Sequence, residues 1–181
     1  MQFTLIRHAE PEWVKDGLSV VNPPLTARGY KQAERLAGRL ADTHFDHIYV
    51  SPLLRTRQTA KPLLDINGRA EIIEPWLEEI REPSWHGAPA EETIKAYRDE
   101  MDRNAEDRWS GLEGGESVRD FVARIHAGCA KFLADRGVYR LDQPLPVWQI
   151  DDPGDSIALF AHAGTDSVLI CTRSRAGRRT V

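Results

Sequence analysis

Cysteine is scarce: Cys129 and Cys171 sit in apolar stretches, far apart and without CxxC spacing. That gives no support to a disulfide framework or a structural zinc site. Long apolar runs are missing as well. No window approaches the roughly eighteen residues of a membrane-spanning helix, and the amino terminus enters a strand at once, which leaves nothing for a signal peptide. A cytoplasmic protein with no membrane partner is expected. Positive charge is not in excess, and a net charge of -4 argues against nucleic acid as a partner. Repeats and low-complexity tracts are absent. His44 and His47 have a spacing that would suit a metal, but only Asp46 joins them. They read as turn residues, and no metal or other cofactor is expected. With 41% apolar and 29% charged residues, the 181-residue chain has the balance of a globular protein with one sizeable core, so a single domain over residues 1–181 is expected.

What is present begins with Phe3-Thr4-Leu5-Ile6, a strand-length apolar run that ends in Arg7-His8. Residues 11–24 contain Asn22-Pro23-Pro24 and read as a loop. Thr26 is a helix N-cap candidate, followed by Tyr30, Ala33, Ala37 and Leu40 at helical spacing. A strand at His47 to Val50 stops at Ser51-Pro52, which reads as a cap followed by proline in the first helical position. The next helix carries Arg55, and Pro62 is expected to distort or end it. A strand over Ala70 to Glu74 follows. Residues 75–115, rich in Pro, Trp and charge, read as a small cover with one helix near Glu91 to Arg103. Ser117, with Asp120 three residues on, opens a long amphipathic helix whose stripe includes Phe121, Ile125 and Phe132. Residues 137–156 read as a connection, and Ser156 to Ala161 as a buried strand ending in His162-Ala163-Gly164. The alternation of strands and helices predicts βαβ crossovers and a parallel sheet.

Two apolar strands thus end in the same manner. If they run parallel in one sheet, His8 and His162 emerge at one edge, where open α/β sheets bind ligands. Arg55, early in its helix, is carried there too. Helix N-termini and two guanidinium groups at that edge make a cup for a phosphate or sulfate.

These motifs resemble the histidine phosphatase superfamily, also called phosphoglycerate mutase-like. Arg7-His8-Ala9 is similar to its opening Arg-His-Gly. The run Ser51-Pro52-Leu53-Leu54-Arg55, continued by Thr59-Ala60, is similar to its Ser-x-Leu-x-Arg and Thr-Ala. Leu77-Glu78-Glu79-Ile80 resembles its acid motif, Gly114-Gly115-Glu116-Ser117 its helix start, and His162-Ala163-Gly164 its second histidine. The resemblance implies a three-layer α/β/α sandwich with a largely parallel central sheet, and a metal-independent phosphomonoesterase acting on a small phosphorylated metabolite. It implies that His8 is the nucleophile, that Arg7, Arg55, His162 and the Ala163 backbone hold the phosphoryl group, and that Glu79 protonates the leaving oxygen. Elementary chemistry agrees. Arg7 and Arg55 disfavour protonation of His8, and a bound dianion favours the protonated form of Glu79. Glu74, Glu78 and Glu82 lie near enough in sequence to compete for the acid's role. Arg57 and Glu10 read as peripheral, Glu116 and Ser117 as cap residues, and Trp76 and Trp85 either wall the pocket or fill the cover.

The departures matter. Alanine follows each histidine where the family usually has glycine. Val14 and Ile80-Arg81-Glu82 stand where mutases of the family carry asparagine and a Lys- and Tyr-bearing acid motif, which favours hydrolysis over mutase chemistry. Phosphoglycerate-mutase-type transfer and a non-catalytic phosphate-binding protein are the alternatives. Residues 172–181 hold four arginines and no acid, so the C-terminal elements are expected to be truncated or frame-shifted. Otherwise a basic tail recruits an acidic partner or a second copy as a homodimer.

Overall fold

The computed structural model describes residues 1–143 and 147–174. Its centre is a four-stranded parallel sheet in the order β1 (Gln2–Arg7), β8 (Ser156–Ala161), β4 (His47–Val50), β5 (Ile72–Ile73). Strand β8 is inserted between two strands from the first third of the chain. It is buried on both faces, which explains its unbroken apolar run. Alternate residues feed two cores. Ala158 and Phe160 join Ile6, Ile48 and Val50 beneath helices α1 (Ala27–Leu40) and α2 (Leu54–Ile66). Ile157, Leu159 and Ala161 point the other way, towards α4 (Val118–Ala134) and α5 (Ala163–Ser174). This is the α/β/α layering expected from the sequence.

The caps form as read: Thr26 Oγ1 accepts the Gly29 N–H at 2.9 Å, and Ser117 Oγ accepts the Asp120 N–H at 3.0 Å. Several local readings are corrected. Ser51 is not a cap residue; Leu53 takes the N-cap position, and the Ser51 hydroxyl is drawn to His162. Helix α2 continues through Pro62 to Ile66, because a proline deletes only one rung of a ladder otherwise held by the buried Ala60, Leu63 and Leu64. The strand expected over 70–74 is reduced to Ile72–Ile73 on an exposed edge. The loop at 11–24 contains a hairpin, β2 (Val14–Lys15) and β3 (Leu18–Ser19), turned by Asp16 and Gly17, both at positive φ. The connection at 137–156 holds a second hairpin, β6 (Val138–Arg140) with β7 (Trp148–Ile150). His47 opens β4 and is not a turn residue, and Cys171 is exposed. The helix read near Glu91 to Arg103, α3 (Ala90–Asp102), lies where expected. Helix α5 runs past Cys171, and the arginine-rich stretch from residue 175 lies outside the described residues. Among the described residues, no helix is long and apolar enough to cross a membrane.

Candidate active site

Strands β1 and β8 are neighbours in a register that sets Arg7 opposite Ala161, so the next residue of each strand is a histidine at the same sheet edge. The His8 N–H donates to the Ala161 carbonyl at 3.1 Å. The two imidazoles face each other with ring centroids 5.2 Å apart and planes tilted by 55°.

Their hydrogen bonds give them different tasks. His8 Nδ1 lies 2.8 Å from the Ala9 carbonyl oxygen, an acceptor only, so this nitrogen carries the proton and Nε2 keeps its lone pair. The Ala9 N–H is in turn held by Thr59 Oγ1 at 2.9 Å, whose own hydroxyl donates to the Arg55 carbonyl at 2.6 Å. His162 is fully buried. Its Nε2 lies 2.7 Å from Ser51 Oγ and 3.2 Å from Thr56 Oγ1, while its Nδ1 is buried without a partner among the described residues. Burial above all, and then Arg55 and Arg7, pull His8 down to about 4, against the opposing effect of the Ala9 carbonyl. Burial, Arg55, His8 and Arg7 pull His162 down to about 2. Both rings are neutral near neutral pH. The arginines act as the sequence suggested, but desolvation is the larger cause.

Arg55 is carried in by the first turn of α2 and is only 4% exposed. Its guanidinium sits 4.8 Å from the centroid of the Trp13 ring, and its Nε, like His162 Nδ1, is buried without a partner among the described residues. Arg7, at the end of β1, is exposed, and its guanidinium has no hydrogen bond or ion pair among the described residues. The Ala163 N–H, first in α5, is likewise free of backbone partners there. A buried guanidinium, an exposed one, a buried imidazole nitrogen and a helix N-terminus therefore converge, and such a set suits a tetrahedral oxyanion.

The structure also separates the four competing glutamates. Glu79 turns inward: its Oε2 accepts the Gly164 N–H at 2.9 Å and its Oε1 the Ile80 N–H at 3.0 Å. Glu78 pairs with Arg81, Glu82 accepts from the Tyr97 hydroxyl, and the Glu74 backbone extends β5 beside Val50. Two side chains fix the backbone that carries Glu79. Arg124 of α4 donates to the Glu78 and Glu79 carbonyls at 3.1 and 3.2 Å while gripping Glu116 through two nitrogens at 2.8 Å. Thr165 Oγ1 reaches the Leu77 and Glu78 carbonyls. Gly164 admits Glu79 because a Cβ there would collide with its Oε1.

Arg57 and Glu10 are peripheral, paired with Glu71 and Arg28 respectively. Ser117 caps α4, whereas Glu116 serves Arg124 and not a helix end. Trp76 neither walls the pocket nor fills a cover but packs on Phe132 of α4 in the core, and Trp85 lines a cavity. Sequence reasoning missed Ser51, Thr56 and Thr59 as supports, Trp13 as the face under Arg55, and Asp166. Burial and the neighbouring Glu79 push Asp166 up to about 6, opposed by Arg7, and its Oδ1 is buried without a partner among the described residues. Among the described residues, no group of three or more His, Cys, Asp or Glu side chains is disposed to hold a metal ion.

Comparison with known proteins agrees with this geometry. The model of the histidine phosphatase superfamily (branch 1) matches residues 3–178. The chain is 35% identical over 128 residues to phosphoserine phosphatase 1 of Hydrogenobacter thermophilus, a match covering 69% of this chain and 61% of that protein. It thus spans about three-fifths of the length of such curated relatives. Among solved structures, the α-ribazole phosphatase of Shigella flexneri superposes with a TM-score of 0.69 at 27% identity, covering 95% of this chain and 79% of that one. A phosphoglycerate mutase of Thermus thermophilus superposes with a TM-score of 0.59 at 26% identity, covering 94% and 83%.

Proposed function

We propose, since the chain belongs to the histidine phosphatase superfamily, that it hydrolyses a small phosphomonoester through a phosphohistidine intermediate on His8. The observation that carries the reading is the hydrogen bond from His8 Nδ1 to the Ala9 carbonyl, which leaves Nε2 unprotonated and opposite His162. Nε2 attacks phosphorus, the ester P–O bond breaks, and its electron pair leaves on the alcohol oxygen, which takes a proton from Glu79. Water then attacks phosphorus, gives its proton back to Glu79, and the N–P bond opens to release phosphate.

Arg7, Arg55, the Ala163 N–H and His162 Nδ1 hold the equatorial oxygens. Ser51 and Thr56 support this role for His162: a hydroxyl that donates to Nε2 leaves the ring's one proton on Nδ1, as a donor to phosphate. Fixed donors of this kind supply most of the rate in phosphoryl transfer. Residues 75–115 serve as the cover of a single domain. Phosphatases and a phosphoglycerate mutase both stand among the similar proteins. Hydrolysis is favoured by Val14 and Ile80-Arg81-Glu82, which differ from the mutase pattern. A cytoplasmic setting with a phosphorylated metabolite as partner completes the reading.

Incubation with 3-phosphoglycerate and with an ester that cannot isomerise, followed by phosphorus NMR, tests it. Inorganic phosphate from the second ester, lost in His8→Ala, is the expected result. Phosphate moved along 3-phosphoglycerate without release would establish a mutase instead.

A further inference from the structure

A cavity of about 460 Å³ opens beside the phosphate cup, within the size range of small-molecule sites. One wall is the segment from Trp13 to Val21, which includes the β2–β3 hairpin; the other is α3, with Ala90, Thr93, Ile94 and Tyr97. These walls are stitched together and do not merely touch. The Ser19 N–H donates to the Ala88 carbonyl at 2.8 Å, the Ala90 N–H to the Gly17 carbonyl at 2.9 Å, and the Ser19 and Thr93 hydroxyls meet at 2.8 Å. Trp85 and Tyr97 pack edge to face at 5.5 Å.

Three features define what would fit. The walls are aromatic and aliphatic, and Trp13, Val14, Val21, Ile94 and Tyr97 all leave apolar surface open to solvent. The Trp13 ring belongs both to this cavity and to the stack on Arg55, so an ester whose phosphoryl group sits on Arg55 has its alcohol part directed along that ring. Among the described residues, Glu82 is the one carboxylate of the lining, and no Lys, Arg or His is part of it. The Tyr97 hydroxyl donates to Glu82 Oε1, which leaves Oε2 to accept from a ligand hydroxyl or amine.

We propose, resting on the phosphatase reading above, that this cavity receives the alcohol part of a ring-bearing phosphomonoester that carries no carboxylate. A planar aryl or heterocyclic group covers the Trp13, Trp85 and Tyr97 faces, and its polar edge meets Glu82. A short phosphorylated acid leaves those faces wet. It also sets a carboxylate among apolar walls beside Glu82, where Arg55, the cation that reaches the wall at Trp13, is already taken up by the phosphoryl group.

The test measures kcat/KM for phosphate release from benzyl phosphate and 2-naphthylmethyl phosphate against O-phosphoserine and 3-phosphoglycerate, all esters of alkyl alcohols. Ring-bearing esters are expected to be favoured by about tenfold or more, the scale set by filling or leaving empty an apolar pocket. Ile94→Lys, on the half-exposed face of α3, brings a cation to the wall and should lower that ratio at least tenfold while circular dichroism stays native. Equal or better turnover of the acids, or a ratio unmoved in a folded Ile94→Lys protein, overturns the proposal but leaves the phosphatase standing. Release from none of the four esters, with no phosphate label on His8, overturns both.

Discussion

Acid should unfold this protein through its two neutral histidines. Unfolded, both return to 6.5, whereas folding holds His8 at about 4 and His162 at about 2. Between the folded and unfolded values the unfolded chain binds more protons. Stability is therefore full above about 6.5 and is lost as pH falls through the window from 6.5 towards 4. At pH 5 each ring has cost about 2 kcal/mol relative to pH 7.5, at 1.36 kcal/mol per pH unit. Asp166 acts in the opposite sense. Its folded value is raised to about 6 from 3.8, so its penalty to the fold grows between about 3.8 and 6 and is full above that, and acidification to pH 5 relieves roughly 1 kcal/mol of it. The net loss is roughly 2–3 kcal/mol, or a fall in Tm of roughly 5–10 °C for a chain of this size. Thermal unfolding at pH 7.5, 6 and 5 reads it directly, and His8→Asn should remove about two-thirds or more of the dependence, since Asp166 offsets much of what His162 alone contributes. A Tm that does not change between pH 7.5 and 5 would refute the claim that both imidazoles are buried in the neutral form.

Three substitutions probe the support of the site. Gly164→Ala places a methyl group against Glu79 Oε1 and displaces the carboxyl that the Gly164 N–H holds, so kcat should fall by roughly 10²-fold while the Tm stays within a few degrees. Arg55→Lys keeps the charge but loses the fork and the stack on Trp13, and kcat/KM should fall by roughly 10²- to 10³-fold in steady-state assays. Arg124→Leu strips the Glu79 carbonyl of its donor, leaves the Glu78 carbonyl to Thr165 alone, and takes from a mostly buried Glu116 the guanidinium that neutralises it, leaving the Arg81 N–H; urea unfolding should show a loss of about 3 kcal/mol, with a lower kcat.

How much of this could be read from the sequence depended on range. The apolar runs Phe3 to Ile6 and Ile157 to Ala161, and the caps at Thr26 and Ser117, are local signals, and each produced the expected element. The meeting of His8 and His162 followed from treating both strands as parallel members of one sheet. That β8 lies between β1 and β4 is a non-local pairing with no local signature. Ser51 was misread because a serine before proline has the local chemistry of a cap, while its actual partner is 111 positions away. The Asp16-Gly17 turn did carry a signal, a dipeptide suited to two positive φ angles, but the neighbouring Pro23-Pro24 drew the reading to a loop. Glu79 could be singled out from its neighbours only by the resemblance; in the fold, the Gly164 amide and the grip of Arg124 do so physically. Asp166 gave no signal, since its environment is made by α5 packing towards the segment that holds Glu79.

The most direct test is to quench the enzyme during turnover of a labelled phosphate donor and examine the protein. An acid-labile, base-stable label on the peptide containing His8, absent from a folded His8→Ala variant, is the predicted result. Label that survives acid, or that persists without His8, would contradict an imidazole nucleophile at the end of β1.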